Sequence, residues 1–205
     1  LVGTGGTGKS AIGKACGNEG DCWTIGYDVG ATKGSLVGET GAMTRRALRV
    51  IDSIGQGETF WIATCNRIES IPPELRRRFS YGTWYLDLPT KEARADMWEA
   101  YGSQLGVSIE SLPNDEGWTG AEIKTCVGMA KDMSLTIEEA GDLISPVSRT
   151  SAESIEALRR LANGRFKCAT TGDNYKAPEK FADKPSGVLP LGNADTTRIL
   201  DMNES

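Results

Sequence analysis

The first half of the chain alternates short apolar runs with stretches in which apolar residues recur at helical spacing. The apolar runs are rich in β-branched and aromatic residues, as strands are. They lie at residues 1–2, 22–27, 59–64 and 83–88, and the helical stretches begin at Lys9 and Thr40. Because strands that alternate with helices form parallel sheets with right-handed crossovers, residues 1–89 predict a three-layer α/β core.

After Pro89 the pattern becomes helical throughout, which predicts a small helical lid over residues 90–165. Thr90 can cap the first helix, whose apolar residues Ala93, Met97, Tyr101 and Leu105 form one stripe. Capping-box spacing, a Thr three residues before a Glu, predicts three further helix starts at Thr119, Thr136 and Thr150. The last helix should end at Asn163-Gly164.

Residues 166–205 are rich in Gly, Pro, Asp, Asn and Lys and have little periodicity, so we expect an extended C-terminal tail. The chain also begins with Leu within a predicted strand, from which we expect a further segment upstream. These boundaries divide the chain into a core, a lid and a tail.

Composition narrows the possible chemistry. Hydrophobic residues make up 39% of the chain and charged residues 25%, and no apolar run approaches the roughly 20 residues that span a bilayer, so we expect no membrane partner. The net charge of -5 disfavours bulk binding to nucleic acid. Histidine is absent and the five cysteines lack CxxC spacing, which disfavours a zinc site and a His-based triad. A reducing, cytoplasmic location fits this composition best.

The clearest motif is glycine-rich and lies between the first strand and the first helix. Residues 3–10 satisfy GxxxxGK(S/T), the Walker A phosphate loop, in the context that this motif requires. Backbone N–H groups at a helix N-terminus surround a phosphate, Lys9 reaches the β and γ oxygens, and the Ser10 hydroxyl can ligate Mg²⁺. The predicted nucleotide-binding residues here are Gly5, Gly6, Thr7, Gly8, Lys9, Ser10 and Ala11.

With this loop in place, the chain resembles the AAA family of ATPases, and its later motifs follow in the family's order. Residues 59–67, which read TFWIATCNR, resemble the strand that ends in the sensor-1 asparagine, here Asn66. The resemblance implies that Asn66 positions the attacking water and senses the γ-phosphate. It also implies the P-loop NTPase fold, a parallel-sheet core followed by a helical lid, with ATP and Mg²⁺ bound between the two.

Residues 71–79, which read IPPELRRRF, resemble the segment that carries the family's arginine fingers. In the family such an arginine reaches the nucleotide of a neighbouring subunit and stabilises the charge on the γ-phosphoryl group. The common family pattern has a glycine before the final Arg-Phe, which this chain lacks, so Arg76, Arg77 and Arg78 all remain candidates. We favour Arg78, next to Phe79, and then Arg77; a solvated basic face is the alternative.

Residues 118–123, which read WTGAEI, resemble the lid motif of AAA proteins that have Gly-Ala in place of the sensor-2 arginine. The resemblance places Gly120 and Ala121 near the adenine.

Residues 33–40 lie where the family has its first pore loop, but Leu36 stands where an aromatic residue is usual. Peptide threading by an aromatic paddle is therefore not supported, which leaves an aliphatic grip or an ordinary surface loop as the alternatives.

The chain departs from the family at the Walker B strand, which should end in Asp-Glu. Only Gly55, Gln56, Gly57 and Glu58 separate the second helix from the strand at 59–64. A parallel strand needs a crossover of about a dozen residues or more, which four residues cannot supply. We therefore expect a missing segment near residues 55–58 that contains the Asp-Glu strand; a true deletion is the alternative.

Together these features predict an Mg²⁺-dependent ATPase that assembles as a homo-oligomeric ring, by resemblance a hexamer, and remodels a protein partner. The acidic composition and the Gly-Ala lid motif favour a protein over nucleic acid as that partner. Two alternatives remain open. One is a nucleic-acid-associated motor or loader on the same core, and the other is a scaffold that binds nucleotide with little turnover.

Overall fold

The computed structural model describes residues 1–20, 49–50, 53, 61–68, 76–77, 79 and 81–179. Several predicted features lie outside these residues: the strand at 22–27, the pore-loop segment at 33–40, the expected break near 55–58, and Arg78. Of the predicted helix that begins at Thr40, the described residues Arg49, Val50 and Ser53 are helical.

The described strands form a parallel sheet at the centre of the core. β1 (Val2–Gly3) pairs with β2 (Trp84–Leu86), and β2 pairs with β3 (Lys167–Cys168), in the order β1-β2-β3. On the other side of β1, Val2 forms a parallel bridge with Cys65, so the segment around Cys65 and β2 flank β1. The parallel arrangement agrees with the predicted α/β class, although β2 is shorter than the predicted strand at 83–88.

Apart from the helical residues near 50, six helices are described from beginning to end. They are α1 (Lys9–Glu19), α2 (Lys91–Leu105), α3 (Gly120–Met133), α4 (Ile137–Asp142), α5 (Val147–Thr150) and α6 (Ala152–Ala162). No helix within the described ranges is long and apolar enough to cross a bilayer.

The predicted helix starts at Thr90, Thr119 and Thr136 are confirmed. Thr90 accepts a hydrogen bond from the Ala93 N–H, and the other two residues form complete capping boxes. The predicted start at Thr150 is wrong, since Thr150 ends α5 and the longer helix α6 begins at Ala152. The short helix α5 begins after Pro146 and includes Thr150, the residue that the capping-box spacing assigned as a helix cap.

Two separate hydrophobic clusters hold the chain together. The lid cluster joins α2, α3 and α4, which we call the lid helices; its fully or almost fully buried members are Trp98, Trp118, Ile123, Cys126, Val127, Ala130, Ile137 and Ala140. The core cluster consists of Val2, Ile68, Tyr85, Leu158, Ala162 and Tyr175. Helix α6, which the sequence assigned to the lid, therefore packs against the sheet.

The buried face of α2 differs slightly from the predicted stripe. Arg94, Trp98 and Gly102 are its buried residues, while Met97, Tyr101 and Leu105 pack at the side of the lid cluster. Arg94 can be buried because its guanidinium lies 3.0 Å from Asp115 Oδ2 and donates to the Pro89 carbonyl oxygen at 3.1 Å. The buried face of α2, which includes the Arg94 that pairs with Asp115, is thus displaced by about one residue from the predicted apolar stripe.

Part of the predicted tail belongs to the core. Residues 167–168 form β3, and Tyr175 is only 5% exposed within the core cluster. The Tyr175 N–H donates to the Phe166 carbonyl oxygen at 2.8 Å, and the Gly164 N–H donates to the Tyr175 carbonyl oxygen at 2.9 Å. This segment folds back on itself after α6 and covers the sheet beside β2.

Candidate functional site

The glycine-rich loop begins where β1 lies against β2. A Cβ atom on Gly3 would lie 2.3 Å from the Leu86 carbonyl oxygen, which no side chain can do without moving one of the strands. Gly3 is therefore required by the close approach of the two strands rather than by a ligand. It fixes the point at which the chain leaves the sheet and enters the loop.

The loop itself has the backbone conformation that an anion site needs. Gly6 and Gly8 have φ angles of 82° and 94°, in the left-handed region that favours glycine. Gly8 is the N-cap of α1, and the first turn of that helix contains no acidic residue. The first N–H groups of a helix lack intrahelical partners and carry a partial positive charge, so this helix end can bind a phosphate.

Lys9 lies over the loop and is only 7% exposed. Its Nζ donates to the carbonyl oxygens of Gly3 at 2.9 Å and of Thr4 at 2.6 Å. Burial lowers the pKa of this amine, and the nearby Cys65 partly offsets that effect. Two neutral carbonyls are weaker partners for a buried ammonium than a phosphate oxygen, so the side chain is held where a phosphate would be favoured.

The start of α3 touches the glycine-rich loop directly. The Ala121 N–H donates to the Gly6 carbonyl oxygen at 3.3 Å. A Cβ atom on Gly6 would lie 2.7 Å from Thr119 Oγ1, and Thr119 is 1% exposed. The structure thus brings together the two segments that the sequence assigned to nucleotide binding, more than 100 residues apart.

Two residues of α2 border the same place and were missed as site residues in the sequence. A Cβ atom on Gly120 would lie 3.2 Å from Met97 Sδ, 3.6 Å from the Tyr101 hydroxyl oxygen and 3.7 Å from the Gly6 carbonyl oxygen. In the sequence, the four-residue spacing of Met97 and Tyr101 predicts only an apolar stripe on a helix. Only the contact of α2 with α3 shows that Met97 and Tyr101 lie against Gly120, which in turn lies near Gly6.

The predicted catalytic residues have different surroundings. Asn66 directly follows the Cys65 bridge to Val2, so its backbone lies at the strand edge beside the loop, and its side chain is exposed. Arg77 is exposed in a turn in which the Phe79 N–H donates to the Arg76 carbonyl oxygen at 3.2 Å. The structure does not bring Arg77 together with Lys9 through any contact in the described residues, and Arg78 lies outside them.

The residues fit the implied Mg²⁺ ion in part. Ser10 is exposed in the first turn of α1, next to the phosphate site, and its hydroxyl oxygen is a ligand type that Mg²⁺ accepts. Within the described ranges, no group of three or more acidic, Cys or His side chains is placed to hold a metal ion. At nucleotides, phosphate oxygens and water usually supply most of the Mg²⁺ ligands.

Comparison with known proteins agrees with this geometry. No family model matches the chain. The chain is 23% identical to the uncharacterized AAA domain-containing protein ycf46 of Guillardia theta over 232 residues, a match that covers 83% of this chain and 45% of the relative. It thus spans about half the length of that relative.

A solved structure has the same fold. The chain matches the crystal structure of the FIGL-1 AAA domain in complex with ADP with a TM-score of 0.51 and 17% identity, over 75% of each chain. The predicted P-loop NTPase fold and the predicted resemblance to AAA proteins are therefore confirmed.

Proposed function

We propose that the chain, which is similar to AAA domain-containing proteins, binds and hydrolyses ATP, assembles as a ring and remodels a protein partner. One observation carries the nucleotide site: the glycine-rich loop contacts the buried Lys9 amine through the carbonyl oxygens of Gly3 and Thr4, and the first turn of α3 through the Gly6 carbonyl oxygen. The N-terminus of α1 and the Lys9 cation both favour an anionic ligand.

The proposed binding step uses groups that are already near their positions. Lys9 exchanges its carbonyl partners at Gly3 and Thr4 for the β and γ oxygens of ATP, a charge-assisted bond that is stronger than a neutral one. The loop N–H groups hold the β-phosphate, and Met97 and Tyr101 border the space beside Gly120. Mg²⁺ held by Ser10 would neutralise part of the phosphate charge.

Hydrolysis in this proposal needs two further groups. Asn66, at the strand edge beside the loop, orients the attacking water. Arg77 or Arg78 acts on the nucleotide of a neighbouring subunit, which agrees with the exposure of Arg77. A group that acts only on a neighbour requires a head-to-tail, heterologous contact, and closing such contacts produces a ring.

Trans action can be tested by mixing two inactive variants. Lys9→Ala removes the phosphate cation but keeps the arginines, whereas the double variant Arg77→Ala/Arg78→Ala keeps the loop but removes both candidate fingers. We expect each variant alone to lose at least about 10²-fold in ATP turnover, and mixed subunits to recover part of the activity. Turnover of the mixture no higher than that of either variant would exclude a finger supplied in trans.

The protein partner is proposed from charge. A net charge of -5 gives little electrostatic attraction to nucleic acid. Stimulation of turnover by DNA and not by unfolded protein would overturn this part of the proposal.

A second candidate function rests on one observation, the absence of Asp-Glu between Ile54 and Thr59. Without a carboxylate to polarise water, the chain would bind nucleotide and assemble but turn over poorly. In the alignment with the ycf46 protein, 83% of this chain is about 170 residues, so at least about 60 of the 232 aligned positions have no counterpart here, which is compatible with a missing segment.

A further inference from the structure

A cluster of polar side chains outside the nucleotide site joins three distant parts of the chain. The carboxylate of Asp87, which directly follows β2, accepts from Arg159 Nε at 2.8 and 3.1 Å. It also accepts from the Tyr175 hydroxyl at 2.6 Å. We call these three residues the Asp87 cluster. Its partners are 72 and 88 residues from Asp87 in the sequence, so tertiary packing alone brings them together.

The cluster lies in protected surroundings. The side chains of Arg159 and Asp87 are 15% and 22% exposed, and Tyr175 is 5% exposed. The ring of Tyr175 packs edge-on against Tyr85 of β2, with ring centroids 4.5 Å apart. Burial, together with the Asp87 carboxylate, raises the pKa of Tyr175, so this hydroxyl stays protonated and donates at every physiological pH. Hydrogen bonds to a charged acceptor in such surroundings are stronger than neutral, exposed ones.

The positions of these residues along the chain give the cluster a meaning beyond stability. Asp87 lies three residues before Thr90, the cap of α2, and Arg159 lies on α6, which follows the lid helices. The lid helices are thus an excursion from the core, and the chain leaves and returns at points that the Asp87 cluster ties together. The lid helices also lie against the core where Thr119 and Ala121 contact Gly6.

We infer that Asp87, Arg159 and Tyr175 are positioning residues, which hold the base of the lid helices so that the first turn of α3 stays against Gly6 and nucleotide binds tightly. The inference rests on the proposed function, because it concerns the same site. Asp87 directly follows β2, Arg159 lies on α6 and Tyr175 follows β3, so the three residues belong to other elements than the glycine-rich loop. They act through the connections on either side of the lid helices.

Amide hydrogen exchange without nucleotide tests the positioning step. Asp87→Asn keeps the shape of the side chain and removes its charge, and Tyr175→Phe is a milder change that keeps the buried ring. Arg160→Gln is the matched control, since Arg160 pairs with Glu156 on its own helix. We expect the peptide over residues 119–125 to exchange several-fold faster in Asp87→Asn, less so in Tyr175→Phe, and unchanged in Arg160→Gln.

The same variants are then titrated with fluorescently labelled ADP. We expect the Kd to rise about tenfold in Asp87→Asn, which corresponds to 1.4 kcal/mol, and to rise less in Tyr175→Phe. Faster exchange confined to residues 152–179 would show a purely local role and overturn the inference, as would altered exchange at 119–125 with an unchanged Kd. If amide exchange in Asp87→Asn is faster throughout the chain, the Tyr175→Phe variant is used instead. Its exchange at residues 119–125 and its Kd for ADP then test the inference.

The experiment separates this inference from the proposed function. The exchange measurement needs no nucleotide, so it reports on positioning even in a protein that does not bind ADP. Failure of the wild type to bind ADP would overturn both the proposed ATPase and the effect on affinity. Tight binding by wild type and by both variants would overturn only the inference.

Discussion

Gly5 and Gly6 are neighbours in the phosphate loop but have different surroundings. Substitutions at the two positions can therefore distinguish the contribution of the contact with α3 from that of the loop itself. Gly6 has a φ of 82° and would place a Cβ atom 2.9 Å from the Ala121 Cβ, whereas Gly5 has nothing within 4 Å of such an atom. We expect Gly6→Ala to lower the free energy of unfolding by about 1–3 kcal/mol, through backbone strain and the clash with α3. Denaturant unfolding without nucleotide measures this loss.

Gly5→Ala is the matched control for that change, and we expect its free energy of unfolding to stay within about 0.5 kcal/mol of wild type. Equal losses in both variants would mean that the loop does not lie against α3 as described.

Lys9 should be essential for turnover because it is the buried cation of the loop. We expect Lys9→Ala to lower ATP turnover by about 10²-fold or more, since removing one charge-stabilising donor from an active site typically costs that much. Steady-state phosphate release measures the effect. Lys14, exposed on the same helix, provides the control: Lys14→Ala should turn over at the wild-type rate. Similar losses in both variants would point to damage to α1 instead.

Among the helices, the two capping boxes of the lid helices are alike in sequence but differ in what they hold. Glu122 accepts from the Thr119 N–H at 2.6 Å and from the Val147 N–H at 2.5 Å, so it also anchors the start of α5. Glu139 accepts from the N–H and the hydroxyl of Thr136, and is exposed. Removal of the two carboxylates should therefore lower the free energy of unfolding by different amounts.

We expect Glu122→Ala to lower the free energy of unfolding by about 1–3 kcal/mol, because it leaves two backbone donors without an acceptor. Glu139→Ala, which removes a solvent-facing box only, should cost less. Thermal unfolding followed by circular dichroism compares the two variants. A larger loss in Glu139→Ala would contradict the second role of Glu122.

The same elements show what local sequence predicts well. Three of the four predicted helix starts after Pro89 are correct, because a cap needs only a Thr and the next turn of backbone. The start at Thr150 failed because Pro146 opens the competing helix α5 within the same few residues. The stripe on α2 was displaced because Arg94 is buried against Asp115, a partner that periodicity cannot reveal.

For the whole molecule, the segment near residues 55–58 decides whether the protein is a hydrolysing motor or a nucleotide-dependent scaffold. We expect the intact mass of the natural protein to exceed that of the 205-residue chain, and peptide mapping to find a strand-like segment ending in Asp-Glu between Ser53 and Thr59. We expect the same sample to hydrolyse ATP, since that carboxylate pair would complete the site. A continuous Gly55-Gln56-Gly57 junction without turnover would support the nucleotide-dependent scaffold.

The amino-acid sequence by itself determined the phosphate loop, the capping boxes and the resemblance to AAA proteins. Each of these depends on residues within one or two helical turns, whose backbone preferences act locally. Only the tertiary structure decided that α6 and part of the predicted tail join the core, that Met97 and Tyr101 lie against Gly120, and that Asp87 meets Arg159 and Tyr175. Such contacts depend on which surfaces pack together across many tens of residues, and no local preference encodes that choice.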